Sequence, residues 1–317
     1  MKRYSGNPIV ERTDIPEIEP HLVDVTSVFN PGAIKVNDTY YLMLRVQNRG
    51  RQTFNVMAKS KDGINFDISN KIINFAGIEK IEEKIYHCYD PRITRINDTF
   101  YIMFAMDMEK ICRLGLAQTK DFEQFEFLGI VSEKDNRNGV LFPEKIGGKF
   151  MRFDRPNKVA LVDGPVTGSE IHLSESADLL NWEAVAKVAE GNHNYWDELI
   201  GAGPPPVKTK KGWLLVYHGI AMHYQPIYQA GVMLLDLENP AKIIARGKLN
   251  ILEPRELYET VGQVPNVIFP TGLTVDNYNE YGFAKMDSKV HIYYGAADTS
   301  IGLAISTIEE LIEKCFK

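Results

Sequence analysis

The stretch His87-Cys88-Tyr89-Asp90-Pro91-Arg92-Ile93-Thr94 places an acid, a proline and an arginine directly ahead of a strand-forming run. Proline locks its own backbone and drives the residue before it toward an extended conformation, so Asp90 is expected in a stiff, extended approach to the strand. A carboxyl group presented so rigidly suits proton donation, although Asp-Pro also favours strand-start turns for purely local reasons. A complementary set of cations is scattered along the chain: Arg45, Arg51 in "NRGRQ", Arg137 beside Asn138 in "DNRNG", Arg155 and His218. Guanidinium groups offer forked donors that phosphate or carboxylate accepts, and like charges drawn together need an anion between them. The competing reading pairs each arginine with a nearby carboxylate, Asp154 beside Arg155 being one available partner.

An internal repeat is what would bring such distant residues together. "NDTYYLMLR" at 37–45 recurs as "NDTFYIMFA" at 97–105, and looser copies follow as "GGKFMRFDR" at 147–155, "KKGWLLVYH" at 210–218 and "DSKVHIYYG" at 287–295. Each is a polar turn leading into an aromatic or β-branched run, which reads as a strand. A second motif interleaves with the first: "SKDGINFDI" from Ser60, "TKDFEQFEF" from Thr119 and "SESADLLNWEA" from Ser174 share a small hydroxyl residue, an Asp and a later aromatic. That pattern suits a hairpin turn bonded by its own side chains. Five such units predict an all-β fold, a five-bladed β-propeller of four-stranded blades around a channel, rather than a β-sandwich with coincidental hairpins. The last position of the nine-residue unit reads Arg45, Ala105, Arg155, His218 and Gly295, so three basic groups are expected to converge on the axis. No linker interrupts residues 1–317, which read as a single propeller domain. The exception to strand patterning is "STIEELIEKCF", where Ile308, Leu311, Ile312 and Phe316 predict a short packed C-terminal helix.

Composition narrows the partners. With 36 basic and 42 acidic residues and a formal charge of -6, the chain has no general surface for nucleic acid or anionic membrane, so any anion must meet a local cluster. No apolar run approaches membrane-spanning length, and the first twenty residues lack the apolar core of a signal peptide, so a cytoplasmic protein is expected unless a leader was removed. Cys88, Cys112 and Cys315 are odd in number and lack zinc-ligand spacing, which predicts reduced thiols and no metal site. Tyr40, Tyr101, Trp213, Tyr217, Tyr228 and Tyr293 offer flat faces for a sugar ring, or else form blade cores. "GAGPPP" at 201–206 imitates a phosphate loop but leads into a β-run without the helix and lysine such a loop needs.

Taken in order, the blocks "FNPGAI", "YDPRIT", "NRNGVLFPEKIGGKF", "DRP", "IGAGPPP", "GWLLVYHG", "LLDLENPAKIIAR", "VPNVIFP" and "YYGAADT" resemble those of glycoside hydrolase family 130, the β-mannoside phosphorylases and related β-mannosidases, over nearly the whole chain. The resemblance implies a five-bladed propeller with Asp90 as general acid and with Asn30, Arg45 and Asp298 holding the non-reducing mannose. It places Arg51, Arg137, Asn138, Arg155, His218 and Tyr228 at the phosphate or the adjoining sugar. The implied reaction is inverting phosphorolysis, in which a β-mannose-containing oligosaccharide and inorganic phosphate give α-mannose 1-phosphate and a shortened acceptor, with no other cofactor. Phosphate is already anionic, so one acid facing an arginine-rich pocket suffices, and in the family the proton is relayed through a mannose hydroxyl.

One departure from the pattern opens an alternative. Family phosphorylases commonly carry a lysine just before the "IGAG" block, where this chain has Glu198 and Leu199. A carboxylate there would serve an inverting β-mannosidase as the base that activates water, unless Glu198 is a surface residue or the partner of an arginine. A sugar-binding propeller without turnover is a third reading, disfavoured because the acid and the basic cluster occur together. Linkage, acceptor sugar and homo-oligomerisation are left open by the sequence.

Overall fold

The structure, a computed structural model, describes residues 1–160 and 166–317. Its five principal sheets follow one another along the chain, and the nine-residue repeat supplies the second strand of each: Thr39–Asn48, Thr99–Met108, Phe150–Pro156, Gly212–Ala221 and Lys289–Ala296. These strands alternate with period two, and here both faces are apolar because a blade lies on either side. Leu42, Leu44 and Val46 of blade 1 pack against Ile301 and Leu303 of blade 5, while Met43 between them packs against Ile102 and Phe104 of blade 2. Blade 4 repeats the scheme, with Trp213, Leu215 and Tyr217 turned to blade 3 and Leu214 and Val216 to blade 5. Each fully buried Val or Leu contributes about 1.5–3 kcal/mol, so the ring is held by these inter-blade seams.

The strands nearest the axis are the first strands, Val25–Val36, Ile85–Ile96, Asn136–Leu141, Leu199–Ala202 and Ile268–Val275, which contact one another across blade boundaries. The expectation that the nine-residue repeat itself lines the channel is therefore corrected. The repeat is the more visible signal because second strands are buried on both faces, but its residues reach the axis only at one end. "GAGPPP" interrupts the first strand of blade 4, which resumes as Val207–Thr209 after prolines that cannot donate to the ladder.

The turns after the third strands explain the second motif. Ser60, Thr119 and Ser176 accept two backbone N–H groups each, and Asp62, Asp121 and Asp178 accept the next two. In blade 3 the turn begins at Ser176, not Ser174, whose hydroxyl instead donates to Asp154. In blade 5 the corresponding Thr307 caps the helix Ile308–Cys315 through Glu310 N–H. Ile308, Leu311, Ile312 and Cys315 form its buried stripe, and Phe316 lies outside it at 62% exposure because the helix has already ended.

Blade 5 takes its outermost strand from the other end of the chain. Lys2–Arg3 pairs with Ile305 and Ala304, and the segment runs on beside the third strand, with Asn7 exchanging amide bonds with Leu303 and Ile9 N–H donating to Ile301. Arg3 also donates to the fully buried Glu259, which accepts from Tyr294 Oη and from the N–H groups of Arg255 and Glu256. Arg3→Ala strips that carboxylate of its cation, and breaking a buried pair from one side costs about 3 kcal/mol. Thermal unfolding should show a melting temperature lower by roughly 5–10 °C, and an unchanged value would show that the ring does not depend on this latch.

Candidate active site

One position on four of the five first strands is irregular. The ladder skips between Phe29 and Gly32, Tyr89 and Arg92, Arg137 and Val140, and Pro270 and Gly272, the mark of a β-bulge at the same height in blades 1, 2, 3 and 5. Asn30, Asp90 and Asn138 occupy the first three of these bulges with φ of 46°, 54° and 53°. Asp90 is thus neither extended nor ahead of its strand. It sits within Ile85–Ile96 in the left-handed region, because an extra residue in one strand must turn its backbone aside to keep the flanking pairs in register. Pro31 and Pro91 fit here since a bulge residue has no ladder N–H to lose.

The bulges open onto a cavity of about 270 Å³, roughly the share of nine waters. Asp90 is 7% exposed, and its Oδ1 accepts from Asn30 Nδ2 at 2.9 Å and Arg45 Nη1 at 2.8 Å. The Arg45 guanidinium carbon stands over the rings of both Phe29 and Tyr89, at 4.3 and 4.7 Å from their centroids, which restrains its fork. Asp298, in the hairpin after the second strand of blade 5, shares this side of the cavity. Burial pushes its carboxyl group up to about 6, against the pull of Arg45 and with the help of Asp90.

The other wall is cationic. Arg137, Asn138, Arg155 and Tyr228 line it, and His218 stands behind, with its Nε2 3.5 Å from Arg155 Nη1. Burial, then the charges of Arg155 and Arg92, hold His218 well below its usual range, so it is neutral. Asp154, the partner considered for Arg155, is taken by Arg152 Nε at 2.9 Å and by Ser174. Arg155 has no carboxylate partner among the described residues, and burial lowers it to about 10. Asn138 Nδ2 and Arg155 Nε are buried without a protein acceptor. Donors of this kind, in residues that line one cavity with a buried carboxyl group, suit an anion.

Of the residues expected from sequence, Asn30, Arg45, Asp90, Arg137, Asn138, Arg155, Tyr228 and Asp298 line this one cavity, and His218 supports it. Arg51 does not line it: it is exposed at the turn between the second and third strands of blade 1, with φ of 62°. Glu198 does not line it either, and its carboxylate lies 3.3 Å from His193 Nδ1. Of the six aromatic residues proposed, only Tyr228 belongs to the cavity; Trp213, Tyr217 and Tyr293 are fully buried blade core. Sequence reasoning missed Tyr89, Asp107, Val264, Val267 and Phe269 as lining residues. Tyr89 Oη donates to Asp107 at 2.8 Å, and Arg137 Nη2 lies 3.4 Å from the same oxygen. The available signal was the 60-residue offset that relates Asn30-Pro31 to Asp90-Pro91, the offset of the strand repeat.

A propeller whose cavity holds a buried carboxyl group and a buried guanidinium without a carboxylate partner among the described residues defines a class of carbohydrate-active enzyme that handles an anion. The profile described as beta-1,4-mannooligosaccharide phosphorylase, that of glycoside hydrolase family 130, matches residues 1–317, and the chain belongs to this family. It is 33% identical to the 1,2-beta-oligomannan phosphorylase of Thermoanaerobacter sp. (strain X514), over 98% of both chains. It is 31% identical to the beta-1,4-mannooligosaccharide phosphorylase of Ruminococcus albus, over 98% of this chain and 89% of that one. The solved structure of beta-1,2-mannobiose phosphorylase from Listeria innocua in complex with beta-1,2-mannobiose superposes with a TM-score of 0.84 at 26% identity, over 99% of this chain and 98% of that one.

Asp298 gives a pH test of this geometry. Its folded value of about 6 lies above the ordinary 3.8, so between the two the unfolded chain releases a proton that the folded chain keeps. Its contribution to stability is fully present below 3.8 and is lost as pH rises through 6. Asp298→Asn should therefore melt higher than the parent at pH 7.5, with the gap closing by pH 4; a gap independent of pH would refute the assignment.

Proposed function

We propose that the protein is an inverting β-mannoside phosphorylase: a β-mannoside and inorganic phosphate give α-mannose 1-phosphate and an acceptor shortened by one mannose. The observation that carries this reading is Arg155, buried and without a carboxylate partner among the described residues, on the same cavity wall as Asn138, whose Nδ2 has no protein acceptor, in the cavity that holds Asp90. A buried guanidinium without a counter-charge is costly, and phosphate matches its forked donors. The relatives named above support a mannoside as the sugar. Their names divide between β-1,2 and β-1,4 linkages at nearly equal identity, so the likeness supports the sugar and not one linkage.

In this reading Asp90 gives its proton to a mannose hydroxyl, which passes its own to the glycosidic oxygen as the bond from C1 to that oxygen breaks. A phosphate oxygen held by Arg155, Arg137 and Asn138 forms the new C1–O bond from the opposite face, which inverts the anomeric carbon. Asn30 and Arg45 fix one carboxyl oxygen so that the other is aimed at the sugar, and Asp298 accepts from a mannose hydroxyl. No protein base is required. The hydrolytic alternative needs one, and Glu198, its candidate, is beside His193 and off the cavity wall.

Incubation with β-1,2- and β-1,4-mannobiose, with and without phosphate, tests the reading. Phosphorus NMR should show α-mannose 1-phosphate on one of the two substrates, and mannose release that proceeds equally without phosphate would overturn it. Asp90→Asn should lower kcat by about 10³-fold, the usual contribution of a general acid, with the melting temperature little changed.

A further inference from the structure

The reaction as described leaves one buried charge without a task. Arg92, two residues after the acid, is 1% exposed and has no carboxylate partner among the described residues. Its Nη1 donates to the backbone carbonyl of Asp90 at 2.7 Å, its Nε points to the carbonyl of Gly203 at 3.4 Å, and its Nη2 points to Asn138 Oδ1 at 3.4 Å. One guanidinium thus touches the bulge that carries the acid and the side chain that offers an amide to the anion.

A guanidinium has donors only, so the Asn138 amide can face it only with its oxygen. Nδ2, buried beside Gly201 and His218 and without a protein acceptor, is then the one donor of Asn138 that the protein leaves unsatisfied at the cavity wall. Gly201 closes the space beside that nitrogen: a Cβ there would stand 2.4 Å from Asn138 Nδ2 and 2.4 Å from His218 Cε1. Without Arg92 the amide could turn over and present its oxygen, which suits a water proton and repels a phosphate oxygen. The buried positive charge behind the wall adds to the same preference, since no carboxylate among the described residues pairs with it directly, although Asp90 acts on it from nearby.

We propose that Arg92 is a positioning residue for the nucleophile: it fixes the Asn138 amide with its N–H groups toward the cavity, so that phosphate rather than water is held against the sugar. The inference rests on the phosphorylase reading and goes beyond it by naming the group that discriminates between two nucleophiles. Arg92 does not touch the anion. It acts through Asn138.

The test compares the parent chain, Arg92→Lys, Asn138→Ala and the double variant, with inorganic phosphate as the varied reactant and the mannobiose that the parent cleaves. Arg92→Lys keeps a cation but loses the fork, and should raise the KM for phosphate about 10-fold, the scale of one hydrogen bond to a charged group. Its kcat at saturating phosphate should fall less than threefold. Because the effect passes through Asn138, the double variant should be no worse than Asn138→Ala. A phosphate KM within twofold of the parent, effects that multiply in the double variant, or an Arg92→Lys chain that does not fold would each overturn the proposal. A parent enzyme indifferent to phosphate would overturn the functional reading instead, so the two failures are distinct.

Discussion

A strand that lines an axis turns alternate side chains toward and away from it, so its register fixes how a group can meet a ligand there. The bulges of the first strands release this chain from that limit, and the site depends on them. Asn30, Asp90 and Asn138 adopt positive φ at matching heights, a conformation that costs of order 1–3 kcal/mol for a residue with a side chain. The neighbouring bulges over-determine it. A Cβ on Gly32 would lie 2.7 Å from the Pro91 carbonyl oxygen, one on Gly272 would lie 2.9 Å from that of Pro31, and one on Gly203 would lie 2.8 Å from that of Pro270. Neighbouring backbones therefore meet at these bulges between blades 1 and 2, 5 and 1, and 4 and 5, so the bulge geometry there is not a property of any single blade.

Closure matters for the same reason. The segment from Lys2 to Val10 runs along the third strand of blade 5, and Arg3 and Asn7 tie it to Glu259, Tyr258, Tyr294 and Leu303. Blade 5 in turn packs on blade 1 through Ile301, Leu303 and Tyr293. The Gly272–Pro31 approach joins the bulges of these two blades. Contacts at the rim and contacts at the axis are thus links in one circuit.

The five-fold repeat was legible because second strands are buried on both faces, and nine-residue copies of turn plus apolar run survive even where identity is lost. What lay at the axis was harder to read. The first strands carry shorter signatures, and the rule that a residue before proline is extended points the wrong way at Asp90 and Asn30, where the need to absorb an extra residue overrides it. Arg51, six residues beyond the strand-end arginine, falls on a turn and faces solvent. Glu198 looked like a base from its neighbours in sequence, but the preceding segment folds His193 against it. Arg92 stood in the opening motif and was passed over, because a buried cation with only carbonyl and amide acceptors has no signature in one dimension.

Net charge is equally blind to such arrangements. The chain carries -6 overall, yet its channel end sorts charge into two kinds of cation. Arg45 and Arg137 are matched by Asp90 and Asp107, with the Tyr89 ring packed against both guanidiniums, whereas the hydrogen-bond partners of Arg92 and Arg155 among the described residues are all neutral. Burial lowers both unmatched groups, and a neutral His218 beside Arg155 spares the wall a further charge. In a medium of low dielectric these unmatched charges act on one another and on any anion far more strongly than surface charges would. The apolar packing between blades encloses the ring that carries these charges, together with the carboxyl groups of Asp90, Asp107 and Asp298 on the same cavity.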